Sequence, residues 1–187
     1  MSIEAAVAAL RRGGIVGVPT DTLYGLAADP FRQDALEGIF ILKGRPQVKP
    51  LAILVASLEQ ATGLAMFTDR ALDIAEAHWP GALTLVLPRL ATTPEWLGHQ
   101  QLATIGLRCP DHVITLELLE ASGPLAVTSA NVSDQAAALN DEEARDLFGD
   151  AVAVYLEGEA PGGVASTIID LTESEPVVLR KGPITGT

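Results

Sequence analysis

Short apolar runs of four to six residues alternate with segments of helical periodicity along the whole chain, and this alternation restricts the fold more than any other feature. Residues 2–12 suit a first helix, with Ser2 as N-cap, Ile3, Val7 and Leu10 on one face, and Gly13-Gly14 as its stop. Residues 15–18, 51–55, 82–87, 104–108, 124–128 and 152–155 predict strands. Residues 34–43, 58–66, 69–78, 113–120 and 141–148 predict helices, the first placing Leu36, Ile39, Phe40 and Lys43 along its buried side. Residues 166–171 and 177–180 predict a closing hairpin, while the polar stretch 20–26 and residues 91–101 predict connections. No repeat, linker or low-complexity tract interrupts this order, so one α/β unit over residues 1–187, built on a mixed sheet, is expected.

The apolar runs at 51–56 and 82–87 fall far short of the roughly 20 residues needed to span a bilayer. No membrane partner is therefore expected. The first residues place Arg11 and Arg12 after the apolar stretch and carry Glu4, the reverse of a secretory signal, which assigns the chain to the cytoplasm. Cys109 has no second cysteine to pair with, and His78, His99 and His112 lack metal-ligand spacing, so neither a disulfide scaffold nor a zinc site is expected. Twelve basic against twenty-four acidic residues give a net charge of −12, a field that repels a nucleic-acid backbone. The acids are unevenly spread. None occurs between Glu37 and Glu59, where Lys43, Arg45 and Lys49 gather.

Phosphate chemistry here has no glycine-rich nucleotide loop to rest on, because neither GxxxxGK[ST] nor GxGxxG is present. The segment KGRPQVK from Lys43 to Lys49 instead offers two ammonium groups and one planar guanidinium, which suits a polyanion as well as it suits a solvated loop. The segment TSANVS at 128–133 follows an apolar strand, where ligands of open α/β sheets sit, although taken alone its hydroxyl and amide groups read as a helix N-cap. PTDTLYGL at 19–26 is another polar turn after a strand, and its Asp21 is either a base or an Asx-turn former. Arg108 ends a strand and faces either a carboxylate ligand or an internal acid.

In order, PTDTLYGL (19–26), KGRPQVKPL (43–51), WPGALTLVL (79–87), IGLRCPDH (105–112), TSANVS (128–133), STIIDL (166–171) and VLRKGPI (178–184) resemble the threonylcarbamoyl-AMP synthase family, the YrdC-like proteins, in its short single-domain form. The resemblance implies a twisted mixed parallel and antiparallel sheet flanked by helices around a concave cavity. It also implies a reaction in which L-threonine, bicarbonate and ATP, the last as its Mg2+ complex, give threonylcarbamoyl-adenylate and pyrophosphate. Downstream tRNA threonylcarbamoyl transferase proteins would then use the adenylate, with no tight nucleic-acid binding by the synthase itself. By motif position the family's catalytic set falls on Lys43, Arg45, Ser129 and Asn131, its ATP contacts on Arg45, Lys49, Thr104, Asn131 and Arg180, and its threonine contacts on Thr22, Arg108, Ser129 and Ser166. Two positions depart from the family pattern, Asp134 replacing a glycine and Leu54 a histidine that some members carry. Two competing readings are an RNA-binding module, disfavoured by the charge and by having only two Trp, two Tyr and four Phe for stacking, and a relative acting on another carbamoyl or adenylyl substrate.

Overall fold

The structure, a computed structural model, describes residues 1–44, 50–133 and 135–185. Helix α1 (Ile3–Arg11) starts where the Ser2 hydroxyl accepts from the Ala5 N–H, and it leads into β1 (Val16–Val18). Then follow β2 (Gly25–Ala28), α2 (Gln33–Lys43), β3 (Ala52–Leu54), α3 (Leu58–Thr62), α4 (Asp69–His78), β4 (Leu83–Pro88) and β5 (Thr104–Arg108). The chain continues through α5 (Val113–Ser122), β6 (Leu125–Ser129), α6 (Asp141–Phe148), β7 (Val154–Tyr155), β8 (Thr167–Asp170) and β9 (Val177–Arg180). The strands form one sheet in the order β7-β1-β2-β6-β3-β5-β4-β8-β9. Pairs β1–β7, β3–β5 and β4–β8 are parallel and the other five antiparallel, as expected of a mixed sheet.

Alternation along the strands divides the apolar residues between two layers. Leu26, Ile53, Leu85, Ile105, Leu107, Ala126 and Ile169 pack on one face with Leu36 and Ile39 of α2, Ala71 and Ala75 of α4, and Phe148 of α6. Val16, Val18, Ala27, Leu54, Leu125 and Val127 occupy the other face beneath α1 and α5, whose Ala6, Leu10, Leu118 and Leu119 cover them. Neither cluster includes Thr84, Val86, Gly106 or Ile168, which share the α1/α5 side of the sheet further along. That uncovered stretch is where a ligand can lie.

Three expectations change. The stretch 20–26 is not all connection, since β2 begins at Gly25 and runs fully buried between β1 and β6. Its GLAA sequence has little β propensity, and pairing on both sides, not local preference, makes it a strand. Helix 58–66 ends earlier, at Thr62 before Gly63. The basic segment does not begin as a loop: Lys43 is the last residue of α2, 2% exposed, on the same row as Leu36 and Ile39, as the helical periodicity of 34–43 expects. Gly44 then reverses the chain in the left-handed region at φ 59°, a conformation glycine adopts without strain.

Candidate active site

Three polar clusters converge on a cleft of about 200 Å³ whose walls include Thr22, Leu54, Thr84, Arg108, Ser129, Ser166 and Arg180. The first joins the end of α2 to the end of β6. Lys43 Nζ donates to Ser129 O at 2.5 Å, Asn131 O at 2.7 Å and Asn131 Oδ1 at 2.9 Å. Ser129 Oγ donates to the same Asn131 Oδ1 at 2.6 Å, and Asn131 Nδ2 donates to Val132 O and Gln135 O. The TSANVS segment therefore caps no helix. It is a turn gathered around an ammonium group, and the next helix, α6, has its own cap in Asn140, whose side chain accepts from the Glu143 N–H.

The second cluster is built on Arg108, 6% exposed at the end of β5. Its Nε donates to Gly81 O at 3.0 Å, Nη1 to Thr22 Oγ1 at 2.8 Å, and Nη2 to Asp21 Oδ1. Of the two options left open for this arginine, the internal acid is present, and Asp21 pairs with it. Burial pushes the guanidinium below its ordinary value while Asp21 opposes that shift, and the positive charge of Arg180 adds to the downward push. The turn bearing Asp21 is fixed from two directions. Thr115 of α5 donates to Pro19 O, and Gly162 approaches so closely that a Cβ there would lie 2.3 Å from Asp21 O.

The third cluster lies across β4, β8 and β9. Arg180 Nε donates to Ser166 O at 2.9 Å and Nη2 to Ser166 Oγ at 3.0 Å, while Ser166 Oγ stands 2.8 Å from Thr84 Oγ1. Ser166 and Thr84 are both 4% exposed, so this is a built contact, not a surface encounter.

Of the expected set, Thr22, Arg108, Ser129, Ser166 and Arg180 line the cleft, and Lys43 and Asn131 are hydrogen-bonded to Ser129 at its edge. Arg45 and Lys49 lie outside the described residues, as does Asp134. Thr104 is not brought to this cleft. It starts β5, on the same side of the sheet as Arg108 but four residues away, about 13 Å at roughly 3.3 Å per residue. Leu54 lines the cleft in the place where some family members carry histidine. The sequence reading left out Thr20 and Thr84 as site residues and weighed Asp21 only as a base or a turn former, although Thr20 lies in the PTDT turn already singled out and Thr84 is the polar break in an otherwise apolar strand. Beside Arg108, burial pushes the Cys109 thiol up to about 11, which disfavours the nucleophilic thiolate.

A larger hollow of about 380 Å³ opens on the other face of the sheet, between α2 and residues 96–101. Its walls include Leu36, Phe40, Ile53, Trp96 and Ala126 and its described rim carries Glu37 but no Lys or Arg, so it offers an anionic substrate less than the smaller cleft does.

The Sua5-YciO-YrdC family model, described as "Telomere recombination", matches residues 8–182. A Mycobacterium leprae relative is 44% identical over 184 residues, covering 97% of this chain and 83% of its own length. A structure of the Pyrococcus abyssi protein Sua5 complexed with L-threonine superposes with a TM-score of 0.91 at 40% identity, covering 96% of this chain and 54% of that one. By sequence that P. abyssi relative bears the name threonylcarbamoyl-AMP synthase at 41% identity. Escherichia coli YciO superposes with a TM-score of 0.89 at 29% identity over 96% of this chain and 88% of its own. The chain thus spans most of the mycobacterial relative and about half of the archaeal one.

Proposed function

From the premise that this chain belongs to the Sua5-YciO-YrdC family, we propose that it is a threonylcarbamoyl-AMP synthase. L-threonine, bicarbonate and ATP give threonylcarbamoyl-adenylate and pyrophosphate. The observation that supports this reading is that Arg108 and Arg180 line one cleft together with Ser129, whose carbonyl accepts from Lys43, so guanidinium groups suited to a carboxylate and to phosphates share one small volume.

The amine of threonine displaces water from bicarbonate to form a carbamate, and a carbamate oxygen attacks the α-phosphorus as pyrophosphate departs. Negative charge grows on the phosphate oxygens, so fixed cations lower the barrier. Arg45, Lys49 and Arg180 take the phosphates, with Asn131 beside them and Thr104 further along the open face. Lys43 adds its charge and holds the Ser129–Asn131 turn in shape. Arg108 reads the threonine carboxylate with Thr22, Ser129 and Ser166 around it. Among the described residues no group of three His, Cys, Asp or Glu side chains could hold a metal ion, and the one carboxylate at Arg108 is paired with it. Mg2+ would enter as part of the ATP complex and would supply charge neutralisation on the triphosphate.

The protein works as one catalytic domain in the cytoplasm, where ATP is available, and passes the adenylate to tRNA threonylcarbamoyl transferase proteins without gripping tRNA tightly itself. No helix among the described residues is long and apolar enough to cross a membrane. The test is pyrophosphate release measured with ATP, bicarbonate and a panel of amino acids. Release that depends on threonine and on bicarbonate is the expected result, and release at the same rate without threonine refutes the reading.

A further inference from the structure

The reaction joins three substrates, and the residues named so far account for threonine and ATP but not for bicarbonate. A row of side chains crosses the cleft floor on the open side of the sheet. The β4–β8 ladder pairs Thr84 with Ile168, the β8–β9 ladder pairs Ile168 with Arg180, and Thr84 stands one step past the Leu85–Leu107 pair of β4 and β5, beside Arg108. With strands about 4.8 Å apart, the Thr84 backbone is roughly one strand spacing from that of Arg108 and two from that of Arg180. Thr84 thus lies between the guanidinium that reads the threonine carboxylate and the one that takes phosphate, and it lines the same cleft as both. The positive charge of Arg180 is felt at Arg108, so an anion between them offsets a repulsion built into the cleft.

The Thr84 and Ser166 hydroxyls bring two protons and four lone pairs. Their oxygens stand 2.8 Å apart, so one proton and one lone pair meet in that contact whichever group donates. Arg180 Nη2 donates to Ser166 Oγ at 3.0 Å and takes a second lone pair. In both senses of the contact, one proton and two lone pairs remain, and neither hydroxyl has a further partner among the described residues. A pair that can donate once and also accept, next to a guanidinium, complements an anion that carries its own hydroxyl. A carboxylate or an ionised phosphate oxygen has no proton to give and would set its charge against the lone pairs. Hydrogen carbonate has both halves, an anionic oxygen to take the proton and an O–H to donate.

We infer that Thr84, with Ser166 and Arg180 beside it, forms the bicarbonate subsite of the cleft. The inference rests on the synthase reading above and adds to it the place of the third substrate. The order of groups along the row follows the order of bonds to be made. The threonine nitrogen, next to the carboxylate on Arg108, bonds to the bicarbonate carbon, the C–OH bond breaks, and the hydroxyl leaves as water with a proton from the amine. The carbamate keeps the negative charge, and its oxygen then faces the α-phosphorus on the Arg180 side. Ser166, already beside threonine, borders both substrates.

The test follows pyrophosphate release by the full chain while each substrate is titrated in turn, in solutions stripped of carbon dioxide before bicarbonate is added. Thr84→Val keeps the shape of the side chain and removes the hydroxyl. It should raise the KM for bicarbonate by about tenfold or more and leave the KM values for threonine and ATP within about twofold, since only the anion loses a hydrogen bond. Thr84→Ser, which restores the hydroxyl, should bring the bicarbonate KM back towards the wild-type value. An unchanged bicarbonate KM in Thr84→Val overturns the inference. Equal rises for all three substrates, the sign of a floor that has simply shifted Ser166 and Arg180, overturn it as well. If Thr84→Val melts early, Thr84→Ala, which leaves the floor room to relax, carries the same test and must move bicarbonate alone. A wild-type protein whose pyrophosphate release needs neither threonine nor bicarbonate would refute the functional reading instead.

Discussion

Lys43 and Arg108 are both buried cations, each donating to three protein oxygens among the described residues, and they leave different chemistry behind. The Lys43 ammonium donates to three oxygens of one short turn and so helps to shape Ser129–Asn131. The Arg108 fork has five donors, gives three to Asp21, Thr22 and Gly81, and keeps two. A guanidinium can serve as a strut and a ligand reader together, whereas an ammonium with three close partners is chiefly a strut that carries charge. The two residues should therefore fail differently.

Lys43→Met gives the largest expected effect. At 2% exposure, removal of the Lys43 ammonium strands buried oxygens of Ser129 and Asn131. Loss of about 3 kcal/mol of stability by urea titration is expected together with loss of activity, because buried polar groups left without partners are expensive. Native stability with lost activity would show that Lys43 acts on the phosphates alone and would break the comparison.

Arg108→Lys comes next. Charge is kept and the planar fork is lost, so the threonine requirement should rise by the equivalent of roughly 2 kcal/mol while the ATP requirement hardly moves. Separate titrations of the two substrates decide this, and equal shifts would show that Arg108 serves both.

Gly162→Ala sharpens the same contrast from the backbone. A Cβ 2.3 Å from Asp21 O has to displace the PTDT turn, which is expected to lower stability by about 1–3 kcal/mol and weaken threonine while sparing the Lys43 cluster. Unchanged threonine binding in this variant would mean that the turn tolerates the shift.

The smallest effect concerns the thiol beside Arg108. Burial raises the Cys109 thiol from an ordinary 9.0 to about 11, so the folded state favours the neutral form. Its contribution to stability is complete below pH 9.0 and declines as pH climbs through about 11, the sign expected when the folded value lies above the unfolded one. Urea midpoints measured between those limits should fall less steeply in Cys109→Ala than in the wild-type protein. Parallel pH profiles would remove the thiol from the account.

Local signals were legible wherever local physics decides. Ser2 caps α1, β4 and β5 fall within a residue or two of their apolar runs, and β8 with β9 closes as the expected hairpin. The motifs also pointed to Thr22, Arg108, Ser129, Ser166 and Arg180, which the fold brings to one cleft, but not to the distance that keeps Thr104 away from it. Their mutual roles were not legible. Helical periodicity placed Lys43 on the buried side of its helix, but nothing in the chain near it announces that its ammonium will meet the oxygens of Ser129 and Asn131.

Periodicity and turn chemistry thus determined the alternation of elements, the α/β class and the resemblance to a family, since each depends on neighbours a few residues apart. Tertiary structure decided the rest. It made GLAA a central strand by pairing it between β1 and β6, and it set the nine-strand order among the described residues. It also decided which oxygens Lys43 and Arg108 meet among the described residues, because those groups are brought within about 3 Å of each other only by long-range packing.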